Sequence, residues 1–374
     1  MKLGIVSPSK GQLTETFIAA QMQLLQGDKA IYHGGKIPRF LNDSTLPLAT
    51  PFSSKLYRKI ARNLGQVVLT EEQAAFLASL ESEKPDVILA EYGMTGADIL
   101  PMVKSLGIPM VVHFHGYDAS EKQIIASYRD RYTAMFAYAS AIIAVSKKMA
   151  QMLEEIGAPK EKIVYNCYGP RDYFLDLKPN YSRPNFLSVG RFTAKKAHHI
   201  AILAFQKIAH LHPEATLTII GDGAQREIAL DLIRCFGLES RVILPGALPQ
   251  EKILTYFENA IAFIQHSRTA PSGDMEGTPL SILESQAAAL PVISTYHAGI
   301  PDVVVHGDTG FLVEENEIAQ MSEYMLRLLE EPGLAQKLGE AGRQRIRQQF
   351  SLQRHIQQLD QVIAKAAQIK KAIY

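Results

Sequence analysis

The sequence has little net charge, few cysteines and no long apolar segment. It contains 39 Lys and Arg residues against 38 Asp and Glu, so its formal net charge of +1 provides no overall field that would attract nucleic acid. Its two cysteines, Cys167 and Cys235, stand far apart without a pairing pattern, which favours a reducing cytoplasm. The longest apolar runs, such as residues 108–112 and 141–145, are too short to cross a bilayer.

The beginning of the chain also lacks the pattern of a signal peptide. Residues 1–6 contain no long apolar stretch followed by small cleavage-site residues, and they predict a first strand instead. The 374 residues are too many for one ordinary core and fit two domains of about 150–200 residues each. The 47% hydrophobic and 21% charged residues are typical of a folded globular protein.

Short apolar runs alternate with amphipathic segments of helical spacing along most of the chain. This alternation predicts an α/β fold of doubly wound parallel sheets. Because the pattern restarts after a polar stretch, we predict two Rossmann-like domains, at 1–170 and 185–350, joined by a linker at 171–184. Residues 351–374 predict one long C-terminal helix. The predicted strands are residues 3–6, 30–33, 87–90, 110–114, 141–145, 163–166, 186–189, 217–220, 242–244, 262–264 and 292–294.

The first candidate site follows the predicted strand at 186–189. Ligands of such sheets bind beyond the carboxyl ends of the strands, so two facing domains would share a cleft there. Gly190 allows a tight turn, and Arg191 and Lys196 then form a pair of cations. Such a pair suits a diphosphate, because charge on a leaving group must be neutralised as it develops. A solvated basic helix start is the alternative interpretation.

The second candidate site is the acidic segment at residues 274–284. Pro279 suits a first helical position with Thr278 as the N-cap, and free N–H groups at such a helix start bind phosphate or sugar oxygens. A carboxylate accepts two hydroxyl hydrogen bonds, so Glu284 is predicted to hold a ribose and Glu276 the transferred sugar. An acidic capping pattern on a surface helix would explain the same residues without a ligand.

Two histidines, His113 and His115, stand at the end of the predicted strand at 110–114. Alternation places both rings on the same side of the strand. Neither a Cys nor a further His is near enough in sequence to complete a tetrahedral metal site, so we predict no metal. His115 is instead expected to hydrogen-bond a substrate hydroxyl or phosphate, and His113 is expected to pack internally.

Two glycine-containing loops give weaker signals. Residues 221–223, Gly-Asp-Gly, end a predicted strand but lack the third glycine of a dinucleotide-binding fingerprint. Lys10 and Gly11 follow the first predicted strand. For both loops, contact with a ligand phosphate and a plain connecting loop remain alternative interpretations.

With these residues in view, the chain resembles the family-4 retaining glycosyltransferases of the GT-B fold over nearly its whole length. That fold consists of two Rossmann-like domains facing a central cleft, with a C-terminal helix that crosses back to the N-terminal domain. The resemblance is carried by Ser-Val-Gly-Arg at 188–191 with Lys196, Ile-Gly-Asp-Gly at 220–223, the E-x7-E pair Glu276 and Glu284, residues 289–294 leading to Gly-Ile-Pro-Asp at 299–302, Ala-Val-Ser at 144–146, and His-Gly-Tyr-Asp at 115–118.

The resemblance implies roles for the matching residues. Arg191 and Lys196 would bind the donor diphosphate in place of a metal. Glu284 would bind the ribose and Glu276 the donor sugar, with His115 beside that sugar. The further donor contacts that it implies are Gly11, Gly190, the base-facing loop of Gly246, Ala247 and Leu248, and the backbone around Gly277, Thr278, Pro279 and Leu280. The residues expected on the acceptor side are Lys10, Thr14 and Asp118.

The resemblance also implies a mechanism. The sugar is transferred with retention of configuration, and the leaving phosphate takes the acceptor's proton on the same face. Neither an enzyme nucleophile nor a cofactor is needed, which agrees with the lack of a nucleophile–base pair in the sequence. The implied donor is a UDP- or GDP-linked hexose. Residues 272–279 look most like exopolysaccharide and lipopolysaccharide transferases, which implies a saccharide or lipid-linked acceptor.

Two other functions fit parts of the pattern. A GT-B-fold sugar-nucleotide epimerase would share the cleft but isomerise or hydrolyse its donor. A non-catalytic two-domain sugar-binding protein of the periplasmic type would need no reacting groups, and the missing signal-peptide pattern and the paired Arg191 and Lys196 argue against it. Release of nucleoside diphosphate only in the presence of an acceptor separates a transferase from both.

Residues 29–70 form a strongly one-signed segment with seven Lys or Arg residues and one acidic residue. Within it, Lys55, Arg58, Lys59 and Arg62 lie at helical spacing with apolar residues between them. A basic amphipathic segment favours contact with an anionic surface, here the inner face of the membrane. The expected localisation is therefore cytoplasmic and peripheral at the membrane. A solvated helix face is the alternative.

These four basic residues predict binding to anionic liposomes, little binding to neutral ones, and release by high salt. Each basic side chain near an anionic surface contributes about 1 kcal/mol. The Debye length falls from ~10 Å at 0.1 M salt to ~3 Å at 1 M. Changing all four to Gln is expected to abolish co-sedimentation with anionic liposomes while leaving donor affinity intact. Equal binding by wild type and variant, or no binding by wild type, would return the segment to a solvated helix face.

Overall fold

The computed structural model describes residues 1–11, 15–50 and 69–373. Thr14 and the basic segment with Lys55, Arg58, Lys59 and Arg62 lie outside these ranges, so their predicted roles stay predictions.

The N-terminal part forms a sheet of seven described strands in the order β3-β2-β1-β4-β5-β6-β7. Its strands are parallel except for the short edge strand β3, which pairs antiparallel with β2. The central strands are buried throughout and mostly apolar, as expected when helices cover both faces of a parallel sheet; Glu91 and His113 are the polar exceptions. The strands are β1 Lys2–Val6, β2 Asp28–His33, β3 Phe40–Leu41, β4 Val87–Glu91, β5 Met110–Phe114, β6 Ala141–Ala144 and β7 Ile163–Tyr165.

The C-terminal part forms a second sheet, of six described strands in the order β10-β9-β8-β11-β12-β13, all parallel. Together the two sheets confirm the predicted α/β fold with two doubly wound parallel domains. Strands β3 and β13 are missing from the sequence prediction. The strands are β8 Asn185–Val189, β9 Thr216–Ile220, β10 Val242–Gly246, β11 Ala262–Ile264, β12 Val292–Thr295 and β13 Gly310–Val313.

Helices connect the strands, and local capping explains where several of them begin. Helix α2 starts with a capping box in which Thr70 accepts from the Gln73 backbone and Gln73 accepts from the Thr70 backbone. Ser146 caps α6 by accepting from Met149 N. The helices are α1 Thr16–Leu24, α2 Glu71–Glu83, α3 Gly93–Ser105, α4 Tyr117–Ser120, α5 Lys122–Tyr138, α6 Lys147–Glu155, α7 His198–Ala209, α8 Arg226–Cys235, α9 Gln250–Glu258, α10 Leu280–Ala287, α11 Ile300–Val303, α12 Ile318–Glu330, α13 Leu334–Gln349 and α14 Leu352–Ile373. In the described part of the chain, none of them combines the length and the apolar character that crossing a bilayer requires.

The C-terminal helix α14 packs on the N-terminal sheet. Leu359 and Ile363 are fully buried in one apolar cluster with Leu3 and Leu89 of the first domain. The backbone N–H of Gln26 also donates to a side-chain oxygen of α14 at 3.0 Å. The helix at the end of the chain therefore completes the core of the first domain.

Loops at the carboxyl ends of the two sheets meet directly. The Met275 backbone N–H donates to Ser120 Oγ at 3.0 Å, and the Thr278 hydroxyl donates to the Val145 carbonyl at 2.7 Å. Gly277 is required at this contact, because a Cβ there would lie 2.3 Å from the carbonyl oxygen of His115. The contact places the acidic loop of the second domain against the strand ends of the first.

Candidate active site

The predicted cation pair lies at the carboxyl end of β8. Gly190 N donates to the Ile220 carbonyl at 2.9 Å, which turns the chain as soon as the strand ends. The aliphatic stem of Lys196 crosses over Gly190, where a Cβ would be 3.2 Å from Lys196 Cε. Arg191 is exposed beside it. The glycine therefore makes room for the lysine, and the two cations sit at the cleft edge of the second sheet.

Lys196 and Glu276 form an ion pair in the cleft. Lys196 Nζ lies 3.2 Å from Glu276 Oε1, and the side chains are only 13% and 10% exposed. Burial acts to raise the pKa of Glu276, but the charges of Lys196 and Lys195 hold it at about 2. The carboxylate is therefore ionised at neutral pH. The structure thus joins the residue predicted to bind the diphosphate to the one predicted to bind the sugar.

Lys195 lies near this pair and holds the start of the acidic loop. Its Nζ lies 2.9 Å from Asp274 Oδ1 and 3.1 Å from the Met275 carbonyl. Sequence reasoning assigned it no role. The signal available in the sequence was the pair of adjacent lysines in the loop after β8, since two neighbouring side chains seldom contact the same group.

The predicted start of the acidic helix is wrong by one residue. Helix α10 begins at Leu280, with Pro279 as its N-cap residue. The Thr278 hydroxyl does not cap the helix, because it donates to Val145 of the other domain instead. The backbone from Gly277 to Leu280 still faces the contact between the domains, and its predicted role in donor binding stays a prediction.

Glu284 lies one turn into α10 and is only 9% exposed. Gln250 Nε2 donates to its Oε1 at 3.5 Å, and no ion pair to it is found among the described residues. Burial raises the pKa of Glu284 to about 7, although the charge of Lys196 opposes this. Two carboxylates of one short segment therefore hold different charges near neutral pH.

The His115 ring is enclosed within the first domain. Burial acts to raise the pKa of Glu91, but the neighbouring His113 and His115 rings hold it at about 2, so Glu91 accepts from His115 Nε2 at 2.8 Å. Burial raises the pKa of Tyr168 well above its ordinary value, so its hydroxyl donates to His115 Nδ1 at 2.5 Å. Both ring nitrogens are thus occupied, and the predicted contact with the donor sugar stays a prediction.

Glu91, His113 and His115 are the one group of three potential metal ligands within the described ranges, with ligand atoms inside 4.8 Å. Sequence reasoning did not foresee Glu91, which follows the predicted strand at 87–90. Gln21 Nε2 lies 3.3 Å from His113 Nδ1, whereas His113 Nε2 has no hydrogen-bond partner among the described residues. The predicted absence of a metal stays a prediction.

Two of the residues expected on the acceptor side, Lys10 and Asp118, have partners of their own. Lys10 Nζ lies 2.6 Å from Asp43 Oδ1 and 2.8 Å from the Asn42 carbonyl. Asp118 is fully buried, and its carboxylate accepts backbone N–H groups of residues 93, 115 and 116 at 2.8–3.3 Å. Gly11 adopts a φ of +75°, which suits glycine. The acceptor and donor roles of these residues stay predictions.

The Gly-Asp-Gly loop at residues 221–223 packs against the turn that carries the cation pair. A Cβ on Gly221 would lie 2.0 Å from the Gly190 carbonyl, so only glycine allows the two turns to pack together. Gly221 N donates to the carbonyl of Gly246, at the end of β10. Ala247 next to it is exposed and Leu248 is half-buried, and their predicted contact with the base stays a prediction. A separate cavity of about 540 Å³ lies at the opposite ends of β8 and β9, away from these residues.

Two parallel α/β domains that meet at their strand ends, with basic and acidic side chains gathered there, define the class of GT-B glycosyltransferases. Residues 163–345 match the family described as "Glycosyl transferases group 1", and residues 18–167 match "Glycosyltransferase Family 4". The amylovoran biosynthesis glycosyltransferase AmsK of Erwinia amylovora is 31% identical over 287 residues, which cover 75% of this chain and 70% of AmsK. The chain therefore belongs to glycosyltransferase family 4.

Two further proteins are similar to this chain. The putative colanic acid biosynthesis glycosyltransferase WcaL of Escherichia coli is 30% identical over 251 residues, 64% of this chain and 60% of WcaL. HepE of Anabaena, whose crystal structure contains UDP, matches with a TM-score of 0.77 at 16% identity, covering 98% of this chain and all of HepE. This structural likeness shows the shared GT-B fold.

The raised pKa of Glu284 predicts a stability that falls as pH rises. Between its ordinary pKa of 4.5 and the folded value of about 7, the folded protein holds a proton that the unfolded chain has lost. This contribution is complete below pH 4.5 and is lost as the pH rises through 7. At one pKa unit per ~1.4 kcal/mol, the loss is on the order of 3 kcal/mol. Glu284→Gln carries no such charge, so we expect it to be more stable than wild type at pH 8.5.

Thermal unfolding of the nucleotide-free protein at pH 5 and pH 8.5 measures this effect. The stability of Glu284→Gln relative to wild type should increase between the two pH values. The matched control is Glu251→Gln on α9, an exposed carboxyl whose replacement should have the same small effect at both. A stability difference for Glu284→Gln that does not change with pH would contradict the prediction.

Proposed function

We propose that this glycosyltransferase moves a hexose, with retention of configuration, from a nucleoside-diphosphate sugar to a saccharide or lipid-linked acceptor. The observation that carries the proposal is the Lys196–Glu276 pair at 3.2 Å, which lies beside the exposed Arg191. One end of the group suits a diphosphate and the other suits sugar hydroxyls. A single cleft thereby combines the two halves of a nucleotide sugar.

In the proposed reaction, the leaving phosphate acts as the base that takes the proton of the acceptor. The bond from the anomeric carbon to the diphosphate oxygen breaks, and the acceptor oxygen bonds to that carbon on the same face. The acceptor proton passes to the departing phosphate oxygen. Arg191 and Lys196 stabilise the charge that develops there, the largest single contribution in many enzymes. Glu276 accepts hydrogen bonds from the sugar, and Glu284 those of the ribose.

We further propose that the donor is UDP- or GDP-linked, because HepE, with the same fold, was crystallised with UDP. The names of AmsK and WcaL support an acceptor of exopolysaccharide biosynthesis. With an acceptor of this kind, we propose that the enzyme acts in the cytoplasm at the membrane surface, where the basic residues of 55–62 would contact anionic lipid. An epimerase or a non-catalytic binding protein would not release nucleoside diphosphate in an acceptor-dependent manner.

Arg191→Ala and Lys196→Ala are each expected to reduce turnover by roughly 10²–10³, the effect of removing one charge-stabilising group. The measurement is acceptor-dependent release of nucleoside diphosphate by folded protein. Lys207→Ala removes an exposed lysine of α7 and serves as the matched control, with near-normal turnover expected. Near-normal turnover of the double variant at 191 and 196 would remove both residues from the proposed reaction.

Activity is expected to survive EDTA. Two cations of the chain take the place of a metal at the diphosphate, so chelation should leave turnover within about twofold of the untreated enzyme. The same assay run with and without EDTA, followed by addition of Mg²⁺ or Mn²⁺, decides the point. Loss of turnover on chelation with recovery on adding either ion would show that the reaction needs a metal.

A further inference from the structure

We propose that His297 and Glu315 are positioning residues that hold the backbone of the loop carrying Glu276, and thereby place its carboxylate against the donor sugar. The inference rests on the proposed function, because it depends on Glu276 contacting the sugar. It assigns a role to two residues behind the cleft that no motif of the sequence indicated.

A chain of two hydrogen bonds connects the three residues. The backbone N–H of Glu276 donates to His297 Nε2 at 3.2 Å, and His297 Nδ1 lies 2.6 Å from Glu315 Oε1. A backbone N–H can only donate, so Nε2 carries no proton. The ring proton is therefore on Nδ1, where Glu315 accepts it. The bonds to Glu276 and to Glu315 thus both select the neutral His297 tautomer that carries its proton on Nδ1.

Glu315 lies on the loop that follows β13, and it also holds Thr269, near the start of the connection that carries Glu276. Its Oε2 accepts from the Thr269 backbone at 3.0 Å, and its Oε1 lies 3.3 Å from the Thr269 hydroxyl. Burial opposes ionisation, but the bonds from His297 and Thr269 still lower the pKa of Glu315. The next residue is held as well, since Asn316 N donates to His266 Nε2 at 2.8 Å. One carboxylate therefore ties together the loops that follow β11, β12 and β13.

The same turn holds the acidic loop at a second point. Gly299 N donates to the Gly277 carbonyl at 2.9 Å. Ala298 between the two contacts has a φ of +48°, so this turn is held in a left-handed conformation that alanine rarely adopts. The loop is thus fastened by the His297 ring on one side of residue 276 and by Gly299 on the other. Of the two bonds from this turn to the loop, removal of the ring leaves only that of Gly299.

Burial shows that His297 acts through Glu276. Its side chain is 0% exposed and that of Glu315 is 29% exposed, so the ring has no access to a donor in the cleft. The ring contacts the backbone N–H of the residue whose carboxylate lies 3.2 Å from Lys196. A displacement of about 1 Å in a reacting geometry costs up to about 10²-fold in rate, so a lost anchor should be measurable.

The test compares His297→Ala with His297→Gln. Alanine removes the acceptor for the Glu276 N–H, whereas the glutamine amide oxygen can replace Nε2. We expect His297→Ala to lower kcat/KM for the donor by about 10²-fold and His297→Gln to recover to within about tenfold of wild type. Glu315→Ala, which frees the ring, should resemble His297→Ala. The Kd for UDP or GDP alone should stay within about threefold, because Arg191 and Glu284, proposed to bind the diphosphate and the ribose, are not hydrogen-bonded to His297.

An exposed His–Glu pair of the same domain provides the matched control. His212 Nε2 lies 3.4 Å from Glu330 Oε1, remote from the acidic loop, so His212→Ala should leave kcat/KM within about twofold. Unchanged kcat/KM in His297→Ala, equal loss in His297→Ala and His297→Gln, or a parallel loss of UDP and GDP binding would each overturn the inference. Wild type that neither binds these nucleotides nor transfers a sugar would overturn the proposed function instead.

Discussion

The arrangement of this molecule depends on holding the largely buried Lys196–Glu276 ion pair together. Withdrawing two charges from water costs several kcal/mol per ion unless close geometry compensates for it. The surrounding residues supply that geometry. Gly190 lets the lysine stem pass, Lys195 holds the start of the acidic loop, and His297 accepts the backbone N–H of Glu276 itself. Each contact restricts where one partner of the pair can lie.

The two domains together enclose the Lys196–Glu276 pair. The acidic loop belongs to the second domain, but its Thr278 hydroxyl bonds to Val145, at the end of β6, and its Met275 N–H bonds to Ser120, at the end of α4. The helix α14 adds a second connection, because its Leu359 is buried in the core of the N-terminal sheet. In this structure the acidic loop of the second domain therefore lies directly against the first.

Glu276 and Glu284 show how environment divides the roles of one residue type. Glu276 has two lysine charges near it and stays ionised far below neutral pH. Glu284 has burial without a direct ion pair, and its pKa rises to about 7. Environments that separate the pKa values of paired carboxyl groups are a general device of active sites. Here the pKa values differ because Glu276 lies beside two lysines, whereas Glu284 is buried without an ion pair to any described residue and changes charge near neutral pH.

The sequence by itself was sufficient to predict the two doubly wound sheets and the cations and carboxylates at their strand ends. Apolar periodicity, glycine turns and residue chemistry are local properties, so they can be read along the chain. Only the tertiary structure decided that Thr278 bonds to Val145 instead of capping α10, that His115 is held by Glu91 and Tyr168, and that His297 supports Glu276. These features depend on which distant loops the strand crossovers bring together. Burial and neighbouring charge, which set the pKa values, follow from that assembly.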